Sequence, residues 1–307
     1  MKKYDLVVPG ELNPDLIITD PDLEPRFGQA EVLVKDAALT PGSSSVIFAC
    51  GAARLGLKVA FIGVVGDDMF GRFMVAALEE RGVDTSYVIV DPTQKTGLTV
   101  ILNRVEDRAM LTHLGAINAL RAAQIPDKAL SQARHLHLAS YFLQTSLQPD
   151  VPALFLRARS LGLTTSLDTN WDPDERWSGV HDLLALTNVF LPNENEAFAL
   201  TGTGAVDDAA KKLAGIAEVV AIKMGAEGGL VVQCDRCFRS PALPVQVVDT
   251  VGAGDTFDSG FVYGYLQGWS LEKTLKLAIA CGSLSTQFPG GLEGQPTLEE
   301  GLKHLEG

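Results

Sequence analysis

Short apolar runs alternate with amphipathic segments along most of the 307 residues, and this alternation restricts the chain to few folds. Apolar runs without internal polar positions are typical of strands buried on both faces. Strands separated by helices favour a mostly parallel sheet covered on both sides, so we predict a three-layer α/β/α core. The candidate strands are 5–8, 58–62, 135–139, 164–168, 189–191, 219–223, 230–232 and a weak one at 245–248. The candidate helices are 46–55, 69–81, 151–160, 194–200, 208–213, 255–267, 271–286 and 298–305.

Two stretches, 12–41 and 92–115, break this pattern because they contain strand signals without helices. Their candidate strands are 16–19, 32–36, 98–103 and 110–113, and Glu106-Asp107-Arg108 suits a hairpin tip. We predict a small separate β-sheet that forms a lid over the site and excludes water; a decorative β extension is the alternative. The predicted core is then 1–11, 42–91 and 116–307. Alternation assigns a buried lid face to Leu16, Ile18, Val32, Val34, Val100 and Leu102.

The composition excludes several classes of protein. A formal net charge of −13 argues against a general nucleic-acid binder, which needs a basic surface. Asp5 and Glu11 interrupt the apolar region that a secretory signal would need, and no run reaches the roughly 18 residues of a membrane helix. Four cysteines in a chain of this length do not make a disulfide framework and fit a reducing cytoplasm.

The pair in Cys234-Asp235-Arg236-Cys237 has two interpretations. It could bind a metal or act as a redox pair. A zinc site would need a second ligand pair, and the sequence offers none nearby. We therefore favour a tight hairpin with Asp235 and Arg236 at its tip.

The stretch VVDTVGAGDTFDSGF, residues 247–261, places two glycines and an aspartate directly before an apolar helical pattern. Backbone N–H groups in such a turn form a concave anion site with positive partial charge. Asp255 either caps the helix or accepts a proton from a hydroxyl nucleophile. Other polar segments that follow predicted strands favour the catalytic interpretation, because ligands bind at the carboxyl ends of parallel strands. These segments are 10–15, 63–68, 168–172, 192–196 and 224–229.

The run DTVGAGDTF at 249–257 resembles the C-terminal signature of ribokinase-like carbohydrate kinases, the PfkB family. The resemblance extends over nearly the whole chain. Further matching segments are GELNPD at 10–15, AARLG at 52–56, GVVGDDMFG at 63–71, TG at 96–97, GA at 115–116, NENE at 193–196 and KMGAEG at 223–228. The resemblance implies a ribokinase-like fold with a β-sheet lid and transfer of the γ-phosphoryl group of ATP to a sugar hydroxyl.

The resemblance also implies roles for individual residues. Asp255 would be the general base, and the anion hole would comprise Gly252, Ala253 and Gly254. Asn193 and Glu196 would help to hold Mg²⁺ through water, and Asp249 with the Val251 carbonyl would belong to a monovalent-cation site, for instance for K⁺. The nucleotide side would comprise Lys223, Gly225, Gly228 and, by a loose alignment, Cys281. Asn13 and Asp15 would bind sugar hydroxyls.

The sequence departs from relatives of the family at two places. Ribokinases carry GGKGAN where this chain has PGSSSV at 41–46, so Gly42, Ser43 and Ser45 become the candidate substrate residues and a ribokinase is disfavoured. The run DTNWD at 168–172 resembles the DxNxR run of fructokinase-like and ketodeoxygluconate-kinase-like members, but Asp172 replaces the arginine.

Three further residues have open roles. Arg104 and Arg108 either reach a substrate anion or are solvated lid arginines. Trp171 either stacks on a sugar or base or packs as a core aromatic.

Two hypotheses of function remain at this stage. The first is an ATP-dependent kinase acting on the hydroxymethyl group of a monosaccharide, with a nucleoside kinase as its variant. The second is a non-catalytic sugar-binding or regulatory relative, since fold does not fix function. Retention of the candidate base together with the anion-hole glycines favours the enzyme. The resemblance further implies a homodimer that pairs through the lid.

Overall fold

The computed structural model describes residues 2–104 and 107–305. The strands are β1 (Leu6–Pro9), β2 (Pro14–Thr19), β3 (Asp36–Pro41), β4 (Val59–Ile62), β5 (Val64–Gly66), β6 (Ile89–Asp91), β7 (Leu98–Asn103), β8 (Arg108–His113), β9 (His135–Leu138), β10 (Thr164–Leu167), β11 (Val189–Phe190), β12 (Val219–Lys223), β13 (Gly229–Gln233) and β14 (Arg236–Ser240). The α-helices are α1 (Ser44–Arg54), α2 (Met69–Glu80), α3 (Asp127–Ser131), α4 (Val151–Ser160), α5 (Val180–Leu184), α6 (Glu194–Thr201), α7 (Val206–Ala214), α8 (Ala253–Leu266), α9 (Leu271–Ser285) and α10 (Leu298–Leu302).

The central sheet has eight strands in the order β14-β13-β12-β11-β10-β9-β1-β4. Strands β12, β11, β10, β9, β1 and β4 pair in parallel with their neighbours. Strands β13 and β14 form an antiparallel hairpin that completes the edge next to β12. The strands β1, β4, β11 and β12 are short and largely apolar, as expected when both faces are covered, whereas β9 and β10 also bury polar side chains such as His137 and Ser166. Their carboxyl ends lie along one edge, which places the loops after β10, β11 and β12 side by side.

Adjacent residues of one strand belong to different apolar layers. Val7 belongs to the apolar layer on one face of the sheet, which also includes Leu136 and Ile222. Leu6 packs with Phe48 and Phe261, from α1 and α8, on the other face. This division is what a strand with alternating side-chain directions gives when both faces are buried, and it confirms the predicted three-layer α/β/α architecture.

Several helices begin at residues whose side chains satisfy free backbone N–H groups. The Ser43 hydroxyl accepts from Val46 N at the start of α1, and Asp68 accepts from Gly71 N at the start of α2. Helix α8 begins after Gly252 without a side-chain cap, and α3, α4, α5 and α7 also begin without one. Within the residues described, none of the helices is long and apolar enough to cross a bilayer.

A second sheet has four strands in the order β3-β2-β7-β8, with β2 and β7 parallel. Asp15 and Arg108 lie on the same face by register, because β2 and β7 pair Asp15 with Thr99, and β7 and β8 pair Asn103 with Arg108. Arg108 lines the cleft described below, so this face turns toward it. The opposite face is aliphatic across all four strands, and its members include Leu16, Ile18, Leu39, Val100, Leu102 and Leu111.

Most predicted elements are present, but the strand predicted at 32–36 is wrong. That segment belongs to an exposed loop, and β3 begins only at Asp36. Val32 and Val34 lie in this loop and not on a strand of the lid, so they are not part of the predicted lid face. Val32 and Val34 have a high β-propensity, and this local preference suggested a strand. The segment that forms hydrogen bonds with β2 is instead the following one, Asp36–Pro41.

Smaller differences affect other segments. Residues 245–248 have no strand, and β5 and β6 form a two-stranded sheet that the sequence did not predict. Glu106 of the predicted hairpin tip lies outside the described residues. Arg108 begins β8 rather than lying in the turn.

Candidate active site

A cleft of about 790 Å³ lies at the carboxyl ends of β10, β11 and β12 and at the start of α8. A cleft of this size can hold an elongated small ligand. One part is rich in polar groups and the other in apolar ones. The polar part is lined by Arg108, Asp168, Asn170, Asn193, Glu196, Lys223 and Asp255. The apolar part is lined by Ala242, Leu243, Pro244, Val245, Val247 and Ile279.

The turn before α8 requires glycine at Gly252. Its φ of 71° lies in the left-handed region. A Cβ atom there would lie 2.8 Å from the Cα atom of Gly291 and 3.0 Å from Cγ2 of Ile47. This conformation turns the chain so that the first N–H groups of α8, at Ala253 and Gly254, stand at the cleft without intrahelical partners. Ala253 N still reaches Thr250 O at 3.3 Å, a long hydrogen bond.

Asp255 lies in the first turn of α8 and is 8% exposed. Burial, followed by the negative charge of Asp168, raises the pKa of its carboxyl group to about 7, although Lys223 acts in the opposite direction. A carboxyl group with a pKa near neutrality exchanges a proton readily at physiological pH. The same short turn therefore combines backbone N–H groups that have no intrahelical partner with a carboxyl group able to accept a proton.

Hydrogen bonds fix the orientation of two side chains near Asp255, those of Asn170 and Ser44. Ser140 N donates to Oδ1 of Asn170 at 2.9 Å, which leaves Nδ2 of Asn170 to donate to Oγ of Ser44 at 3.0 Å. The Ser44 hydroxyl, at the start of α1, forms a hydrogen bond that lowers the pKa of Asp255. Ser140 and Asn170 have φ of 51° and 53°, uncommon values for these residues. The sequence prediction named neither Ser44 nor Asn170 as a site residue.

A buried ion cluster lies beside the anion-binding turn. Nζ of Lys223, at the end of β12, lies 2.7 Å from Oδ2 of Asp168 and 3.1 Å from Oδ2 of Asp258. Burial acts against the charge of Lys223, but the two carboxylates raise its pKa above the ordinary value. Asp258 also escaped the sequence prediction. Its position three residues after Asp255, on the same helical face, was the available signal.

Asn193 and Glu196 form a capping box at the start of α6. Oδ1 of Asn193 accepts from Glu196 N at 2.9 Å, and Oε2 of Glu196 accepts from Asn193 N at 2.9 Å. Burial, followed by the charge of Asp168, raises the pKa of Glu196 to about 7. Both side chains line the cleft, and their oxygen atoms already accept hydrogen bonds within the capping box.

The candidate sugar residues lie near the start of α1. Nδ2 of Asn13 donates to Oδ1 of Asp15 at 3.4 Å, and burial raises the pKa of Asp15 to about 7. A Cβ atom on Gly42 would lie 2.3 Å from Oδ1 of Asp15, so only glycine fits there.

The hydroxyl groups of Ser43 and Ser45 are engaged by a buried carboxylate. Both donate to Glu11, at 3.0 and 2.6 Å. Glu11 is 2% exposed and also accepts from the Ser140 hydroxyl at 2.8 Å. The assignment of these two serines to the substrate stays a prediction.

On the nucleotide side, Gly225 and Gly228 line the cleft after β12. Gly228 has a φ of 92°, and a Cβ atom there would lie 2.1 Å from Ser240 O. Cys281, also assigned to the nucleotide side, is fully buried against Leu277 and does not line the cleft, and its assignment stays a prediction. Gly282, one position further along α9, lines the cleft instead.

The remaining candidates are dispersed. Asp249 accepts from Val251 N at 3.0 Å and from Gly290 N at 2.9 Å, which closes a small loop before α8. Asp172 accepts from the backbone N–H groups of Asp174 and Trp177, so it shapes its loop rather than facing the cleft. Nε of Arg104 donates to Leu23 O at 2.6 Å. Trp171 is 46% exposed and packs edge to face against Trp177.

Comparison with known proteins agrees with this arrangement. A 2-dehydro-3-deoxygluconokinase of Bacillus subtilis (strain 168) is 33% identical over 290 residues, covering 89% of this chain and 88% of that protein. A ribokinase of Arabidopsis thaliana, solved with ribose and ATP, has a TM-score of 0.85 at 25% identity and covers 99% of both chains. A putative ribokinase II of E. coli, solved with ATP and Mg²⁺, has a TM-score of 0.87 at 23% identity, over 99% of both chains, and shares the fold.

The family model described as pfkB family carbohydrate kinase matches residues 3–298, which is nearly the whole chain. The match includes both sheets and every side chain of the cleft described above. The chain therefore belongs to the pfkB family of carbohydrate kinases.

Proposed function

We propose that this carbohydrate kinase transfers the γ-phosphoryl group of ATP to the hydroxymethyl group of a monosaccharide, with Asp255 as the general base. One observation carries the proposal. A buried carboxyl group with a pKa of about 7 lies in the same helical turn as the N–H groups of the anion-binding site. Phosphoryl transfer needs these two groups next to each other, because the acceptor hydroxyl loses a proton while charge develops on the transferred group.

In this mechanism, the acceptor hydroxyl binds beside Asp255 and gives its proton to the carboxylate as its oxygen attacks the γ-phosphorus. The N–H groups at the start of α8 stabilise the charge that develops on the equatorial oxygens. Asn13, Asp15 and Gly42 belong to the sugar side in this proposal, and Lys223, Gly225 and Gly228 to the nucleotide side. The lid excludes water while the groups react.

The polar side chains fit the cations that such a reaction uses. Mg²⁺ prefers oxygen ligands and keeps several waters, and it supplies charge neutralisation between phosphates. Asn193 and Glu196 offer oxygen atoms at the cleft, but their capping box engages them, which supports contact through water. Asp249 and the Val251 carbonyl are the proposed ligands of a monovalent cation such as K⁺.

We further propose a homodimer formed through the lid. The lid face turned away from the cleft is aliphatic, and Leu111 on it is 61% exposed. An open, apolar β-sheet face is usually covered by another protein surface. A second copy of the same sheet covers this face in our proposal, and the protein acts on its sugar in the cytoplasm.

The proposed function is tested with ATP, Mg²⁺ and a panel of monosaccharides and nucleosides, measuring release of ADP and the thermal unfolding temperature. A monosaccharide substrate is expected to raise the unfolding temperature with a non-hydrolysable ATP analogue present, because ligands of the native state stabilise it by mass action. Turnover of nucleosides alone would contradict the sugar assignment. Ligand binding without turnover of any compound would leave a sugar-binding protein.

A further inference from the structure

Glu11 carries a buried carboxyl group that the proposed mechanism does not use. It follows β1, is 2% exposed and does not line the cleft. Among residues 2–104 and 107–305, none of the ion pairs includes Glu11. Burial raises its pKa, and hydrogen bonds from Ser45 and Ser140 act in the opposite direction. A buried carboxylate without a cation is costly, so the hydrogen bonds that it accepts have to offset this cost.

The first contacts of Glu11 are with the start of α1. Ser45 donates from its hydroxyl to Oε2 at 2.6 Å and from its backbone N–H to Oε1 at 3.3 Å. A Cβ atom on Gly10 would lie 2.2 Å from Oγ of Ser45, so the end of β1 lies directly against the start of α1. The carboxyl group satisfies one of the free N–H groups of this helix. These contacts also fix the place of Ser44, which directly precedes Ser45 in the same helical turn.

The second contact of Glu11 is with Ser140, in the loop after β9. The Ser140 hydroxyl donates to Oε1 of Glu11 at 2.8 Å, and the Ser140 backbone N–H donates to Oδ1 of Asn170 at 2.9 Å. Ser140 has a φ of 51°, a left-handed conformation that is strained for a residue other than glycine. The hydrogen bond to Glu11 helps to offset this strain, and Ser140 thereby connects Glu11 with Asn170.

The direction of the hydrogen bonds is fixed from Ser140 onward. A backbone N–H can only donate, so it meets Oδ1 of Asn170, and Nδ2 of Asn170 donates to Oγ of Ser44 at 3.0 Å. The hydroxyl hydrogen of Ser44 is then left for Asp255, whose pKa this hydrogen bond lowers. The groups that connect Glu11 to Asp255 therefore come from the ends of β1, β9 and β10 and from the starts of α1 and α8.

We propose that Glu11 is a positioning residue, which holds the start of α1 and the loop after β9 and thereby fixes the orientation of the Asp255 carboxyl group toward the acceptor hydroxyl. This inference rests on the proposed function, because Asp255 is the base of that reaction. Glu11 itself takes up no proton and touches no substrate. A general base has to lie within hydrogen-bond distance of the proton that it accepts, and a carboxyl group held in one orientation meets this condition before the sugar binds.

The competing explanation is that Glu11 only stabilises the start of α1. Ser140→Ala separates the two, because it removes the hydroxyl bond to Glu11 but keeps both contacts of Ser45. Glu11→Gln keeps the shape but offers one acceptor oxygen instead of two, so Ser45 and Ser140 cannot both keep their hydrogen bonds. Asp5→Asn is the matched control, since it removes a carboxylate at the other end of β1, where Asp5 pairs with Arg134.

The first measurement is turnover, together with thermal unfolding to show that each variant is folded. We expect Ser140→Ala and Glu11→Gln each to lose about tenfold or more in kcat, as when a hydrogen bond to a charged group is lost. The KM for ATP should stay within about threefold. Both changes combined should cost no more than the larger one alone, because they act on the same chain of contacts. Asp5→Asn should keep its turnover. Native turnover in Ser140→Ala would overturn the proposal, whether or not Glu11→Gln folds.

The second measurement does not depend on sugar turnover. Carbon-13 NMR follows the titration of the Asp255 carboxyl group, assigned by the loss of its signal in Asp255→Asn. Ser140→Ala leaves every charged group around Asp255 in place, so a change in its pKa reports on the hydrogen bond from Ser44. These groups are Glu11, Asp168, Glu196, Lys223 and Asp258.

We expect the pKa of Asp255 to rise above its value of about 7 in Ser140→Ala, because a looser Ser44 donates a weaker hydrogen bond. Ser44→Ala should shift it in the same direction, and Asp5→Asn should leave it unchanged. An unchanged pKa in Ser140→Ala would reject the orienting role. Failure of the proposed function is seen instead as an unmodified protein that phosphorylates no sugar.

Discussion

Replacing Asp255 by asparagine should change activity and stability in opposite directions. Asparagine has nearly the same shape, but it cannot accept the proton of a hydroxyl group. Asp255 is buried next to Asp168, and both burial and that neighbouring charge oppose its ionised form. The native protein therefore keeps a carboxylate at a place where a neutral side chain would be more stable.

The size of the stability effect follows from the pKa. In the unfolded chain the carboxyl group ionises near its ordinary pKa of 3.8, whereas in the folded protein it ionises at about 7. Between these values the folded state binds the extra proton, so the free energy of unfolding falls as pH rises, and the full loss is present above pH 7. A difference of this size corresponds to at most about 4 kcal/mol, at about 1.4 kcal/mol per pKa unit. Asp255→Asn should recover part of it at pH 8 and none at pH 4.

The assay combines urea unfolding at pH 4 and pH 8 with turnover at pH 8. We expect Asp255→Asn to be more stable than the unmodified protein only at pH 8, with kcat lower by about 100-fold or more. Asp84→Asn is the control of opposite sign: although burial acts against it, hydrogen bonds from Ser86 and Tyr4 lower the pKa of Asp84. That variant should lose stability at pH 8 and keep its turnover. Near-native turnover of Asp255→Asn would reject Asp255 as the general base, and a pH-independent stability change would refute the burial argument.

Three further predictions concern the metal, the lid and the base. Chelation of Mg²⁺ should abolish turnover, and Glu196→Gln, which preserves the capping box, should raise the Mg²⁺ concentration for half-maximal rate; an unchanged requirement would remove Glu196 from the metal's surroundings. Light scattering should show a dimer at micromolar concentration that Val100→Asp with Leu102→Asp weakens; a monomer in the unmodified protein would reject it. Ser44→Ala should shift the acidic limb of the kcat/KM profile to higher pH, because the Ser44 hydrogen bond lowers the pKa of Asp255; an unshifted limb would show that this bond does not act on the base.

Elements with strong local signals were predicted closely. The helix at 151–160 and the strands at 98–103 and 219–223 match the observed bounds. In each of these segments the spacing of apolar residues fits either a helix or a strand, but not both. The packing of the folded chain uses the same kind of secondary structure. The strand predicted at 32–36 failed because local propensity there favours a strand, but the neighbouring segment pairs with β2.

At the site as well, some features could be predicted from the sequence and others could not. The anion-binding turn could be predicted, because a glycine-rich turn before a helix has one main use for its N–H groups. The serines at 43–45 could not be assigned, since consecutive residues at a helix start point in different directions. Ser43 and Ser45 reach Glu11, and only Ser44 reaches Asn170.

The sequence by itself determined the layered fold and the glycine-containing turn that opens α8, because both follow from patterns within a few residues. Only the tertiary structure decided the charges at the site. Asp168, Lys223 and Asp258 come from three distant segments, and their contacts at 2.7 and 3.1 Å exist only once β10, β12 and α8 are packed together. The pKa of Asp255 depends on the same packing, because burial and a neighbouring charge are properties of the folded chain.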